Sequence, residues 1–310
     1  MEMELCMADK IWQALANEMA ETAASAGRSV VAVHGRRHAS SGIFWSDDAV
    51  VTVHHALRHD EQCTVTVPSG ERVAARVAGR DASTDLAVLR LQEPVKAQLP
   101  HWAGNANLRV GELVLALART ARGNIVASSG VLSGLMGRWR TWRGGEVDQF
   151  IRPDLTLYSG FSGGPLLNAQ GEVLGMNTAA LHRTGITIPA STIRRVAAEL
   201  LEKGRIERPY LGLAMQAVAL PESLPAKLNL KATEGLLVVH VETGSPADKG
   251  GVLLGDVLLE IGGEAVADTD AVLRILQEQK SGNALQAKLL RAGTLATANV
   301  TLLARPAKGA

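Results

Sequence analysis

Apolar and polar positions alternate with different periods along the chain. Over residues 8–26, Trp12, Leu15, Met19 and Ala23 recur at spacings of three and four. That period places them on one helix face, and Gly27 marks the end. From Ser29 the period shortens. Ser29–Val33, Ala49–Val53, Cys63–Val67, Arg72–Val77 and Leu86–Leu91 are short β-rich runs, separated by turn chemistry such as Pro68-Ser69-Gly70-Glu71. Val110–Leu117, Ile125–Leu132, Pro165–Leu167, Val173–Thr178 and Gly185–Ile188 continue the series. Many short strands without alternating helices predict a mainly β fold, a barrel or sandwich, and not a parallel α/β sheet.

Ala190–Lys203 returns to a helical period, with Ile193, Val196, Ala197, Leu200 and Leu201 on one face and Gly204 behind it. The charged, Pro-bounded run Arg205–Pro209 predicts a domain boundary. Beyond it, strands are expected near Leu211–Met215, Leu236–Val241, Asp256–Ile261, Ala284–Arg291 and Ala296–Leu303, with a helix at Asp268–Gln279. The expected organisation is a helical segment over 1–27, a β domain over 28–204, and a linker with a small α+β domain over 205–310.

Composition narrows the picture. A chain of 310 residues accommodates about two domains of roughly 150 residues each. At 46% hydrophobic and 20% charged residues it is globular, not disordered. Lys and Arg number 32 against 31 Asp and Glu, so nothing electrostatic draws the chain to nucleic acid or an anionic membrane. No apolar run approaches the ~20 residues that span a bilayer, and no membrane span is expected. Cys6 and Cys63 make no disulfide framework, and Cys63 sits in an alternating strand pattern as a packed thiol. The start, Met1-Glu2-Met3-Glu4, is acidic where a secretory signal is basic, and Asp9 and Lys10 interrupt the apolar stretch. As the sequence reads, this implies the cytoplasm. A longer true start would imply the periplasm.

The chemistry concentrates in three segments. Gly160-Phe161-Ser162-Gly163-Gly164-Pro165-Leu166 surrounds a serine with glycines, which allow a tight turn and let the N–H groups of Gly160 and Ser162 converge as an oxyanion hole. A serine hydroxyl needs a base to become a nucleophile. Thr52-Val53-His54-His55-Ala56-Leu57 offers two histidines at the end of a strand. A His55/His59 zinc pair is the competing reading, but Ala56-Leu57-Arg58 lacks the glutamate that zinc proteases carry between the histidines. No metal and no cofactor are expected. Asp81-Ala82-Ser83-Thr84-Asp85 precedes an apolar strand, where Asp85 is placed to accept the other ring N–H of the histidine and fix its tautomer. The order His, Asp, Ser is that of chymotrypsin, not of subtilisin or the α/β-hydrolases.

These segments resemble the HtrA/DegP family of trypsin-like serine proteases. So do Leu167-Asn168-Ala169-Gln170-Gly171-Glu172-Val173-Leu174-Gly175-Met176-Asn177-Thr178 and Gly185-Ile186-Thr187-Ile188-Pro189. The resemblance covers nearly the whole chain and implies a chymotrypsin-like double β-barrel followed by one PDZ domain. Its Thr-x-x-His pattern selects His55 over His54. The triad it implies is Ser162 as nucleophile, His55 as base and Asp85 as orienting carboxylate. The specificity position six residues before the serine is Thr156. With no acid there, the resemblance implies cleavage after small or medium aliphatic residues in unfolded or damaged polypeptides. A chaperone-like or scaffolding protein with little turnover is the alternative.

Pro209-Tyr210-Leu211-Gly212-Leu213 resembles the carboxylate-binding loop and first strand of a PDZ domain, with Gly235–Val241, Gly244–Val252 and Gly255–Ile261 extending the match. Tyr210, Leu211, Gly212 and Leu213 are then the expected binding site for C-terminal peptides. A homotrimer is the assembly the family implies, with the face of the 8–26 helix available to it. Two departures stand out. Phe161 replaces the family's Asn or Asp, and Ala118–Asn124 stands where the family has Gly-Asn-Pro-x-Gly. Gly137-Arg138-Trp139-Arg140-Thr141-Trp142-Arg143-Gly144-Gly145 falls at a regulatory loop of the family and otherwise reads as a solvated loop with cation–π packing.

Overall fold

The computed structural model describes residues 2–35, 39–57, 62–104, 107–182, 184–221, 223–228, 230 and 232–304, with the backbone alone for 2–9, 225 and 226. The chain divides into two compact units, Met1–Ile206 and Glu207–Ala310.

The first unit opens with α1 (Glu2–Gly27), which begins earlier than the pattern over 8–26 suggested. It continues with β1 (Val30–His34), β2 (Ala39–Ser46), β3 (Ala49–Val53), β4 (Gln62–Thr66), β5 (Arg72–Asp81) and β6 (Leu86–Leu91), which close into a barrel in the order β1-β2-β3-β6-β5-β4. Next come β7 (Leu113–Arg119), β8 (Ile125–Met136), a small hairpin of β9 (Trp139–Arg140) and β10 (Glu146–Val147), β11 (Phe150–Asp154), β12 (Pro165–Leu167), β13 (Val173–Thr178) and β14 (Ile186–Pro189). All but the hairpin close a second barrel, β11-β14-β13-β12-β7-β8.

Inward-facing Val, Ile and Leu side chains fill each barrel, and one shared cluster joins them. It takes Val30, Ile43 and Val53 from the first barrel and Leu115, Leu167 and Ile188 from the second. Helix α2 (Ala190–Lys203) lays Ile193, Val196 and Leu200 on the same cluster. It ends at Gly204 in the left-handed region, whose N–H bonds the Leu200 carbonyl. Helix α1 is anchored too: Met19, Ala23 and Ala26 pack on this cluster, while Ile11 and Trp12 stay exposed. Its C-terminal carbonyl, Gly27 O, accepts from the buried Arg119 guanidinium at 2.6 Å, which also bonds Val30 O at 2.6 Å and Gly123 O.

The second unit carries a ribbon of β15 (Pro209–Tyr210) and β22 (Leu303–Ala304), and a sheet ordered β16 (Leu213–Ala219), β17 (Glu234–Val241), β18 (Val257–Ile261), β20 (Ala284–Arg291) and β21 (Thr294–Thr301), with β19 (Glu264–Ala265) on β18. Helices α3 (Ser223–Leu228), α4 (Pro246–Lys249) and α5 (Thr269–Gln277) accompany it, α5 capped by Asp268 accepting from Ala271 N–H at 2.7 Å. Val272 and Ile275 of α5 join Leu236, Val238, Leu258 and Leu289 in a separate core. Buried Asp256 is gripped by Arg291 at 2.7–2.8 Å. Burial opposes its ionisation, but the Arg291 fork and the Leu253 N–H outweigh it and hold the carboxyl below its ordinary pKa. No helix among the described residues is long and apolar enough to cross a membrane.

Candidate active site

Strand pairing brings the carboxylate to the histidine. β3 pairs β6 with Val53 opposite Leu86, so Asp85, just before β6, lies beside the 3-10 turn His54–Ala56 that follows β3. Asp85 adopts φ +59°, a left-handed conformation that Asp tolerates better than most residues, and the strain costs about 1 kcal/mol or more. Asp81 supports that turn by accepting from Ser83 N–H at 3.1 Å, Ser83 Oγ at 2.8 Å and Thr84 Oγ1 at 2.7 Å.

Asp85 is 2% exposed and fully engaged. Its Oδ1 accepts from His55 N–H at 2.9 Å, and its Oδ2 accepts from His55 Nδ1–H at 2.8 Å and Thr178 Oγ1–H at 2.5 Å. A carboxylate only accepts, so the proton sits on Nδ1 and leaves Nε2 as a base. His54 is held differently. Its N–H bonds Asp85 O at 2.9 Å, but its buried Nδ1 meets no partner among the described residues, and burial, with Arg80 and Arg143 nearby, lowers its pKa despite Asp85 and Asp81. Of the two histidines, His55 is therefore the one whose ring meets the carboxylate. His59, the other half of the zinc alternative, lies outside the described residues.

Ser162 follows a tight turn in which Phe161 N–H bonds Tyr158 O at 3.1 Å and Gly160 has φ +96°. At Gly163, φ is +87°, and a Cβ would lie 1.9 Å from Ser41 O. No other residue fits there, because the turn is pressed against β2 of the first barrel. Backbone hydrogen bonds then sort the donors. Phe161 N–H goes to Tyr158 O, Gly163 N–H to Asn177 O and Gly164 N–H to Phe161 O. Gly160 and Ser162 are left with N–H groups that reach no described acceptor.

Ser162 Oγ accepts from Ala179 N–H at 3.3 Å, and among the described residues no hydrogen bond joins it to His55. Both border a cleft of about 540 Å3, with Gly160, Leu157, Tyr158 and Ala179 also on its walls. Serine–base contacts of this kind commonly tighten only when substrate arrives.

Thr156 is exposed and does not border that cleft. Leu157 does, and a Cβ on Gly185 would lie 2.7 Å from its Cδ1, so Leu157 occupies the space Gly185 leaves. Phe161 is 1% exposed and packs among Leu132, Ile151 and Leu166 in the second barrel. An Asn or Asp could not be buried there without partners. The Phe side chain anchors the turn by packing instead.

The Arg/Trp segment is the β9–β10 hairpin, and it is more than solvated. Trp139 meets Phe150 edge to face at 5.6 Å, and Thr141 Oγ1 donates to Ser83 O, in the Asp85 turn, at 2.7 Å. Its tip is open: Trp142 is 74% exposed, with Arg143 stacked 4.4 Å from its ring. Thr178 and Ser41 were not singled out from sequence. Each is a small hydroxyl residue in a strand, and only the fold reveals its partner.

In the second unit, Gly212 has φ +79° and a Cβ would lie 2.2 Å from Ser245 Cβ, so the loop is pressed onto the start of α4. Leu211 O accepts from Ala247 N–H and Gly212 O from Glu242 N–H, whereas the N–H groups of Leu211 and Gly212 reach no described acceptor. Leu213 opens β16, which stands at the end of the sheet order with one edge unpaired in the sheet. Tyr210 lies instead in the β15–β22 ribbon, opposite Leu303.

Comparison with known proteins agrees with this architecture. The chain matches the trypsin-like peptidase domain over residues 40–176 and the PDZ domain over residues 209–302. It is 31% identical to a probable periplasmic serine endoprotease DegP-like of Rhizobium meliloti, over 86% of this chain and 53% of that protein. It is 29% identical to the serine protease Do-like HtrA of Bacillus subtilis, over 82% of this chain and 60% of that protein. The chain thus spans about half to three-fifths of the length of these relatives. The fold matches the HtrA-type protease AlgW with decapeptide at a TM-score of 0.74 and 23% identity, covering 93% of this chain and 99% of that one. It matches the serine endoprotease from Yersinia pestis at 0.73 and 24%, covering 93% and 98%. The two barrels, the cleft that His55 and Ser162 share and the sequence relatives agree: the chain joins a trypsin-like peptidase domain to a PDZ domain and is similar along most of its length to HtrA/DegP-like serine proteases.

Proposed function

We propose that this chain is a serine endopeptidase acting on unfolded polypeptides through an acyl-enzyme. The observation that carries this reading is the pairing of Asp85-bound His55 with Ser162 on one cleft, beside the N–H groups of Gly160 and Ser162, which reach no described acceptor. In this reading His55 Nε2 takes the proton of Ser162 Oγ as Oγ attacks the scissile carbonyl, and Asp85 stabilises the imidazolium that forms. The N–H groups of Gly160 and Ser162 bind the oxyanion, each contributing about 10²–10³ in rate. His55 then hands its proton to the leaving amine, and water releases the acyl group by the same route.

Leu157 at the cleft wall supports cleavage after small or medium aliphatic residues, a role that Thr156, outside the cleft, does not share. The PDZ unit is proposed to take C-terminal peptides at Leu211, Gly212 and Leu213, with the peptide adding as a strand along the β16 edge. Assembly as a homotrimer, with the exposed face of α1 available to it, and action in the periplasm belong to the same proposal. The names of the relatives motivate the compartment and displace the expectation of a cytoplasmic protein. Labelling by a fluorophosphonate probe tests the core of the reading. Wild type is labelled and Ser162→Ala is not; absence of labelling in wild type, with and without a PDZ-binding peptide, leaves only the chaperone-like alternative.

A further inference from the structure

Ser41, in the first barrel, hydrogen-bonds the nucleophile turn through both its backbone and its side chain. It is fully buried on β2. Its N–H donates to Ser162 O at 2.9 Å, and its Oγ–H donates to Gly160 O at 2.8 Å. The direction of the second bond is determined. Ser41 Oγ already accepts from Arg119 N–H at 2.9 Å, so its single proton is available to the Gly160 carbonyl. Ser41 itself is held by Thr52 Oγ1, which donates to Ser41 O at 2.7 Å.

Resting on the protease reading, we propose that Ser41 is a positioning residue for the oxyanion hole. It grips the carbonyls of the same two residues whose N–H groups reach no described acceptor. The Phe161–Ser162 peptide, which carries one donor, lies between two held peptide units. The Ser159–Gly160 peptide, which carries the other, abuts the first of them. Gly160 has no side chain to restrain it, so its carbonyl bond to Ser41 substitutes for that restraint. The bond crosses from one barrel to the other, and so ties the oxyanion donors on the second barrel to the barrel that carries His55 and Asp85. Oxyanion donors work because they are in place before charge develops. Loosening them lowers transition-state binding while leaving ground-state binding in place.

The test uses the full chain and two ligands with the same aliphatic-ended sequence. A peptidyl boronic acid adds to Ser162 and forms a tetrahedral anion that reads the oxyanion hole. The corresponding peptide carboxamide reads cleft occupancy alone. In Ser41→Ala, kcat per titrated active site falls about ten- to a hundredfold, and boronate affinity falls by the same factor. KM and carboxamide affinity stay within about twofold. Ser41→Cys, a weaker donor of similar size, recovers part of both losses. It also carries the same comparison if Ser41→Ala, which strands the buried Arg119 N–H, does not fold. Equal losses for boronate and carboxamide, or wild-type kcat and boronate affinity per active site, overturn the assignment. A wild type that neither hydrolyses peptide nor binds the boronate overturns the protease reading itself, so the two failures are distinct.

Discussion

At the scale of single residues, the site is a set of hydrogen bonds whose directions are fixed by what each atom can donate. Asp85 can only accept, and three donors converge on it, so His55 is locked with Nδ1 protonated. Asp85→Asn presents an amide N–H in that position and forces the wrong tautomer. The expected result is a kcat lower by about 10⁴ with little change in KM, measured on a peptide substrate. Thr178→Val removes one of the three bonds without changing shape greatly. Its expected effect is a loss of about tenfold in kcat, from a bond to a charged group. Comparison of kcat in the single variants and the Thr178→Val, Asp85→Asn pair checks that both act through the same carboxylate: the pair then loses no more than Asp85→Asn alone. Phe161 contributes by packing. Phe161→Ala opens a cavity under the nucleophile turn, and a loss of about 3–5 kcal/mol is expected in denaturant unfolding.

At the scale of elements, most of the strands were legible because their apolar residues alternate and their ends carry Gly, Pro or Asn. β3, β6, β12, β13 and α2 occupy the spans their patterns predicted. β2 was not legible, because it enters as Ala39-Ser40-Ser41-Gly42 and its buried Ser41 hydrogen-bonds across the barrels. β11 was hidden by Pro153, which sits at a shift in register against β8. The motif residues His55, Asp85 and Ser162 were readable from local sequence, whereas Ser41 and Thr178 act through contacts 119 and 93 residues away in the chain, a separation that no local pattern encodes. The β9–β10 hairpin belongs to this scale as well. Thr141 holds the Ser83 carbonyl in the turn that forces Asp85 into a left-handed conformation. Thr141→Val removes that buried hydrogen bond from the turn, at a cost of about 1 kcal/mol. Slower hydrogen-exchange protection is not the expected sign: the amides of His54 and His55 exchange faster in this variant, and fluorophosphonate labelling slows several-fold.

At the scale of the whole chain, each unit carries its own core and its own means of holding it. In the PDZ unit, Asp256 has a folded pKa below its ordinary value of 3.8. Its contribution to stability is therefore present above that value and disappears as the pH falls through the lower folded value. Exchange protection of β18 and β20 amides in the full chain should drop steeply below about pH 4, and Asp256→Asn should lower protection at pH 7 and flatten that drop. In the peptidase unit, the apolar residues Ile11 and Trp12 at the exposed end of α1 are available to a second copy. Light scattering of the chain and of Ile11→Asp with Trp12→Asp checks this: the mass falls in the double variant if α1 joins copies, and stays unchanged if it does not. The central claim is that the His55–Asp85–Ser162 cleft cleaves peptide bonds, and the most direct measurement is mass-spectrometric mapping of new termini after incubation with an unfolded protein. The account predicts new C-termini ending in small or medium aliphatic residues with wild type and none with Ser162→Ala; the same termini from both proteins, or none from wild type, would contradict it.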